Sequence, residues 1–225
     1  MVINSPLNPV GRVFSRDELS LLARAVQKTS AVVICDEVYE HLTYDGCAHI
    51  PLATLPGMQT RVVRVGSAGK IFSLTGWKVG WVTGPRHLVE VVGKTHQFLT
   101  FTTPPALQLG IAHGLTHEMD FPQSLTSRLQ ANRDILARGL TKLGFDVLPC
   151  EGTYFLTAGI AGLTKEKDRD FCERLVREAG VALIPLSVFF SAGAPDTYVR
   201  FAFCKSRELV EQALARLNSC FGSAA

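Results

Sequence analysis

The sequence has no run of basic residues and no aromatics interleaved with basic ones. Its 23 Lys and Arg against 20 Asp and Glu leave a formal charge of +3 spread along 225 residues, which offers nucleic acid or an anionic membrane little to hold. It has no C-x-x-C pair. The cysteines stand at Cys35, Cys47, Cys150, Cys172, Cys204 and Cys220 without metal-ligand spacing, and read as reduced, mostly buried thiols. Met1-Val2-Ile3-Asn4 has neither the basic start nor the apolar run of a signal peptide, so the expected location is cytoplasmic unless a longer parent was cut. The longest stretch without Asp, Glu, Lys or Arg, residues 95–117, contains Pro104-Pro105, several threonines and three histidines. That argues against a membrane span and suits the wall of a site or a subunit contact. Internal repeats and low-complexity segments are also lacking.

What remains is an ordinary globular composition, 47% hydrophobic, enough to bury the core of one large or two small domains. The chain opens on a turn-rich loop, NSPLNPVG at residues 4–11, whose prolines stiffen it and present Asn8. Ser15 and Glu18 form a capping box ahead of a helix with Leu19, Leu22, Ala23 and Val26 on one face. The run Ala31-Val32-Val33-Ile34-Cys35 has the continuous apolar character of a parallel strand buried on both faces, and Asp36-Glu37 ends it. A second apolar strand, Val62 to Val65, leads into GSAGKIFSLTGWKVGW at residues 66–81, and Val79 to Val82 reads as another strand. Alternating strands and helices of this kind predict a βαβ sheet.

Beyond Arg86 the pattern turns helical, and residues 123–143 carry a leucine stripe at Leu125, Leu129, Leu136, Leu140 and Leu143, followed by Gly144 as a cap. Short strands then alternate with two helices, near residues 145–148, 154–158, 168–179, 182–184 and 198–203, with a last helix after Ser206. The second part therefore reads as a small α+β domain.

Residues 66–81 concentrate the chemistry. Glycines around Ser67 allow backbone N–H groups and the hydroxyl to approach an anion. A P-loop is excluded, since Arg64 and Ile71 occupy the positions that need Gly and Ser or Thr. Lys70 at the mouth of an α/β sheet suits a Schiff base to an aldehyde cofactor, given an acid partner for a pyridine nitrogen. Asp36 is that partner: ligands bind beyond the carboxyl ends of strands, where Asp36 and Lys70 both emerge. Tyr39, three residues on, projects beside Asp36 on a helical turn. Taken singly, each residue has a plainer reading, Lys70 a solvated charge, Asp36 a helix cap, Arg200 a surface arginine. His113, His117 and Glu118 do not make H-E-x-x-H and lack a third ligand, and Ser67 lacks the G-x-S-x-G elbow of a hydrolase.

Together the pieces NSPLNPVG, CDEVYEHLTYDG, GSAGKIFSLTGWKVGW, PCEGTYFL and YVRFAF resemble the C-terminal portion of a fold-type I pyridoxal-phosphate aminotransferase of class I/II. Within that class they are most similar to the kynurenine–oxoglutarate transaminase and cysteine-S-conjugate β-lyase group. The resemblance implies an α/β fold: residues 1–122 as the C-terminal part of a cofactor-binding large domain with a mixed, mostly parallel sheet, 123–144 as a long connecting helix, and 145–225 as a small α+β domain. It implies a PLP-dependent transaminase that moves an amino group from an amino acid to a 2-oxo acid, with β-lyase side activity as an extension, and a homodimer in the full-length form. Lys70 would carry pyridoxal 5'-phosphate and shuttle the substrate proton. Asp36 would face the ring nitrogen, and Tyr39 and Asn8 the phenolic oxygen. Ser67 and Lys78 would hold the phosphate, and Arg200 would clamp the substrate carboxylate in a two-pronged geometry that lysine lacks. Phe101 falls where the family places an aromatic near the partner's substrate; no metal is implied.

Two departures stand out. Ile71 occupies a position where relatives carry a hydroxyl residue, which alters packing beside the lysine. The N-terminal half that supplies the stacking aromatic and a phosphate loop has no counterpart, so the expectation is a truncated copy with exposed sheet edge and apolar surface. Such a copy is expected to turn over weakly or not at all. The competing reading is a noncatalytic remnant that associates with a full-length relative. The donor amino acid stays open.

Overall fold

The computed structural model describes residues 1–221. The chain divides into two compact units, one of residues 1–6 and 13–126 and the other of residues 7–12 and 127 onward.

In the first unit the sheet runs β1 (Val2–Asn4), β2 (Val33–Asp36), β3 (Val62–Ser67), β4 (Gly80–Thr83) in that spatial order. The first three strands are parallel and β4 is antiparallel to β3. The expected strand at 79–82 therefore runs against the βαβ pattern. Its link from β3 is only α2 (Ala68–Ile71) and a 3-10 turn, Thr75–Trp77, so the chain re-enters at the end where it left β3, as antiparallel pairing requires. Close approach makes this pairing possible. Gly66 is opposite Trp81, and a Cβ on Gly66 would lie 2.2 Å from the indole Nε1. The three residues of the opening strand β1, followed by turn formers, carry no period of their own; parallel pairing with β2 holds them in the sheet.

Helix α1 (Arg16–Gln27) starts at the capping box: Glu18 N donates to Ser15 Oγ (3.3 Å) and Ser15 N donates to Glu18 Oε2 (2.9 Å). Its Leu19, Ala23 and Val26 pack on Val33, Cys35 and Val62, with Leu52, Leu55 and Met58 closing the cluster. A second cluster forms from Ala68, Ile71, Phe72, Val79 and Ile111, so Ile71 is a packing residue. Helices α3 (Arg86–Leu99) and α4 (Pro105–His117) bury little: α3 has no buried residue, and Phe98, Leu99, Phe101 and Leu109 are 87, 77, 74 and 72% exposed. Among the described residues no helix is long and apolar enough to cross a membrane.

Helix α5 (Asp120–Lys142) begins three residues before the expected start at residue 123, since Pro122 in a first turn forfeits no hydrogen bond. The unit boundary falls within it, between Thr126 and Ser127. The second unit is an antiparallel sheet ordered β5 (Asp146–Val147), β6 (Phe155–Gly159), β8 (Tyr198–Ala202), β7 (Ile184–Pro185), with α6 (Asp168–Glu178) and α7 (Arg207–Phe221). Phe145 meets Phe171 and Phe201 edge-on, at 6.1 and 5.6 Å between centroids. Buried Asp168 accepts from Ser187 N (2.7 Å) and Ser187 Oγ (2.9 Å), tying α6 to the turn after β7. The loop of residues 7–12 belongs to this unit. Gly11 O accepts from Glu151 N and Gly152 N, both at 2.8 Å, and Gly11 sits at φ 74° with Cys150 Sγ where a Cβ would go.

All six cysteines are free thiols, with Cys35, Cys150 and Cys172 buried and Cys204 exposed. Burial, and then the charge of Glu37, pushes the Cys35 thiol up to about 12; burial, and then Asp168, does the same for Cys172, also to about 12. Alkylation of the native chain at pH 8 is therefore expected to modify Cys204 first and to spare Cys35 and Cys172 until denaturant is added, read by peptide mass spectrometry. Replacing Phe171, fully buried under two ring contacts, by Ala should cost about 3–5 kcal/mol in denaturant unfolding.

Candidate active site

Asp36 is the last residue of β2 and is paired in register with Val65 of β3. The backbone holds it from both sides: its carbonyl accepts from Ser5 N (3.1 Å) and Asn4 Nδ2 (2.9 Å), and its Oδ1 accepts from Val38 N (3.3 Å). The chain then turns. Glu37 N donates to Val65 O (3.0 Å), Glu40 N to Glu37 O (2.9 Å) and Leu42 N to Tyr39 O (2.8 Å). These bonds bring the Tyr39 ring, 4% exposed, to where α2 leaves β3. Lys70, half-buried on that helix, sets its Nζ 5.6 Å from the Tyr39 centroid, within reach of a cation–π attraction worth about 0.5–1 kcal/mol.

Ser67 ends β3 and precedes α2, and its side chain makes no capping bond to the helix. Lys78 is exposed at φ 55° and ψ 36° after the 3-10 turn. It adjoins Val79, whose carbonyl accepts from Ala68 N at 3.1 Å, so the two cationic and hydroxyl residues flank one strand end. This bond corrects part of the expected anion cradle: the Ala68 N–H is spent on Val79. Asp36, Tyr39, Ser67 and Lys70 thus gather at the carboxyl ends of β2 and β3, with Lys78 on the adjoining backbone.

Behind this turn lies a set of charged groups that no motif marks. Arg64 of β3 donates through Nε to Glu37 Oε2 (2.5 Å) and through Nη2 to Glu40 Oε2 (2.7 Å). Burial works against the charge of Arg64, but its bonds to Glu37 and Glu40 and their charges outweigh that and hold its pKa above the ordinary arginine value. His49 Nε2 lies 3.3 Å from Glu37 Oε2, off the hydrogen-bond direction, and neither ring nitrogen has a hydrogen-bond partner. Ligand atoms of Glu37, Glu40 and His49 lie within 4.8 Å of one another, yet Arg64 already bonds both carboxylates and is the cation they hold. A charged residue inside the apolar run Val62-Val63-Arg64-Val65 was the signal that could have found it.

In the second unit Arg200, on β8, donates through Nη1 to Asn8 Oδ1 at 2.7 Å. Its guanidinium carbon lies 3.9 Å from the Phe155 centroid and 4.9 Å from that of Phe189, a stacked setting that suits arginine and not lysine. Asn8 and Arg200 are therefore partners of each other. Phe101, at φ 65°, presents its ring outward. His113 and His117 lie side by side on α4 with centroids 4.7 Å apart and their rings tilted by 44°.

A family model described as "Aminotransferase class I and II" matches residues 1–217. The chain is 40% identical over 227 residues to a protein from Mycobacterium tuberculosis named as a probable N-succinyldiaminopimelate aminotransferase DapC, covering 97% of this chain and 57% of that one. It is 36% identical to human kynurenine–oxoglutarate transaminase 1, covering 94% of this chain and 55% of the relative. The solved N-succinyldiaminopimelate aminotransferase from Mycobacterium tuberculosis superposes with a TM-score of 0.94 at 41% identity, over 97% of this chain and 57% of that one. The chain thus spans little more than half the length of these relatives. With a site-bearing sheet end of this kind and a match along nearly its whole length, the chain belongs to the class I and II aminotransferases, a family that depends on pyridoxal 5'-phosphate.

Proposed function

We propose that the chain carries the lysine-bearing portion of a pyridoxal-phosphate aminotransferase that moves an amino group from an amino acid to a 2-oxo acid. The observation that carries this reading is the Lys70 ammonium set against the Tyr39 ring at the end of β3, beside the strand that ends in Asp36. The donor set fits the cofactor. It offers an amine, a carboxylate on the neighbouring strand, a phenol whose ring lies against the amine, and the Ser67 hydroxyl and Lys78 ammonium for a phosphate. When bound, pyridoxal phosphate supplies an electron sink for the pair left at the substrate α-carbon.

In this reading Lys70 holds the cofactor and then moves the substrate proton, as base and as acid. Asp36 keeps a negative charge for the ring nitrogen, and Tyr39 and Asn8 serve the phenolic oxygen. Arg200, stiffened by Asn8 and two rings, binds the substrate carboxylate. Phe101 serves a partner subunit's substrate in a homodimer. Residues 1–122, apart from the loop of residues 7–12, form part of a large domain, 123–144 a connecting helix and the chain from residue 145 a small domain. Relatives named for N-succinyldiaminopimelate and for kynurenine match to similar extents, which leaves the donor open; cysteine-conjugate β-lyase side activity and a cytoplasmic location complete the proposal.

A second reading is supported by the exposure of Phe98, Leu99, Phe101 and Leu109: a noncatalytic remnant that associates with a full-length relative. Adding pyridoxal phosphate to the purified chain separates the two. An absorbance band that disappears in Lys70→Ala supports the first, and no band at saturating cofactor overturns it. Asp36→Ala is expected to weaken cofactor binding by about tenfold or more in the same titration, since a partly buried ionic partner is lost.

A further inference from the structure

Residues 36–40 face two ways. Asp36 and Tyr39, three apart, belong to the candidate site, where Lys70 Nζ stands over the Tyr39 ring. Glu37 and Glu40, also three apart, turn to Arg64, whose guanidinium bridges both carboxylates at 2.5 and 2.7 Å. The bridge spans Tyr39. Glu37 is 3% exposed, and an ionised carboxylate that deep needs a fixed cation; Arg64 is anchored in β3, six residues ahead of Lys70 on the same continuous stretch. The His49 imidazole, its side chain only 5% exposed, lies with its Nε2 3.3 Å from Glu37 Oε2. The turn bearing the phenol is thus fastened to the strand that carries the amine by one backbone bond, Glu37 N to Val65 O, and one guanidinium.

We propose that Arg64, acting through Glu37 and Glu40, is a positioning residue that holds the Tyr39 ring against Lys70 and so controls how available that amine is for reaction. The assignment rests on Lys70 being the reactive amine. Its effect passes through Tyr39, since the guanidinium contacts the two carboxylates that flank it in sequence. Arg64→Lys cannot reproduce the bridge, because an ammonium lacks the fork that reaches two carboxylates at once.

The test is competitive acetylation of the 225-residue chain with limiting acetic anhydride and no cofactor, with Lys70 quantified against the other lysines by peptide mass spectrometry. Losing the ring contact should raise labelling of Lys70 about threefold in Arg64→Met. Tyr39→Leu should match it, and the double variant should show no further rise, as expected when one residue acts through the other. Unchanged Lys70 labelling in a folded Arg64→Met, or a full additional rise in the Tyr39→Leu background, overturns the proposal. Should Arg64→Met fail to fold, Glu40→Gln carries the test: a smaller rise supports the bridge and an unchanged rate overturns it. Because no cofactor is present, this result stands apart from the absorbance titration: a missing band would defeat the aminotransferase reading, and an unaltered labelling pattern would defeat only the role of Arg64.

Discussion

Parallel pairing of β2 with β3 is the interaction on which the first unit depends. It sets Asp36 beside Val65, and from there short covalent distances lead to Ser67 and Lys70. It also sets Cys35 beside Arg64, two residues before Glu37, so the same register that presents the site on one side assembles the ion network on the other. A slip of one residue would exchange the faces of every side chain on the strand. The burial of Val33, Cys35 and Val62 under α1 prevents that slip, because any other register would expose them.

The second unit obeys a different economy. Its antiparallel strands are short, and a cluster of phenylalanines fills the space that longer strands would cover. Within it Arg200 is immobilised by two flat rings and by Asn8. A guanidinium held in this way keeps its plane fixed between the rings. The loop bearing Asn8 joins this unit through Gly11, where only glycine escapes contact with Cys150 and Gly152.

Much of this was legible from short-range rules. The capping box at Ser15 and Glu18 needs only four residues to specify itself, and the run before Asp36 reads as a strand because it is apolar throughout, although the expected burial on both faces is corrected: Val33 and Cys35 are covered while Ile34, on the other face, is 43% exposed. Asp36, Tyr39 and Lys70 could be grouped because strand ends in an α/β sheet share one edge. The antiparallel return of β4 escaped notice, since direction depends on how compactly residues 68–79 fold. So did the use of the Ala68 N–H by Val79, which reduces the expected anion cradle. The three residues of β1 have no period of their own, and their pairing with β2 is what defines the strand.

By itself the sequence determined the elements, their order, the family and the identity of the chemical groups, because capping, periodicity and motif spacing are properties of near neighbours along the chain. Only the tertiary structure decided which group each charge answers to. Arg64 answers to Glu37 and Glu40 from 27 and 24 positions away, and Arg200 to Asn8 from 192. Such pairings follow from strand register and domain packing, which bring together residues whose separation along the chain carries no trace of their contact.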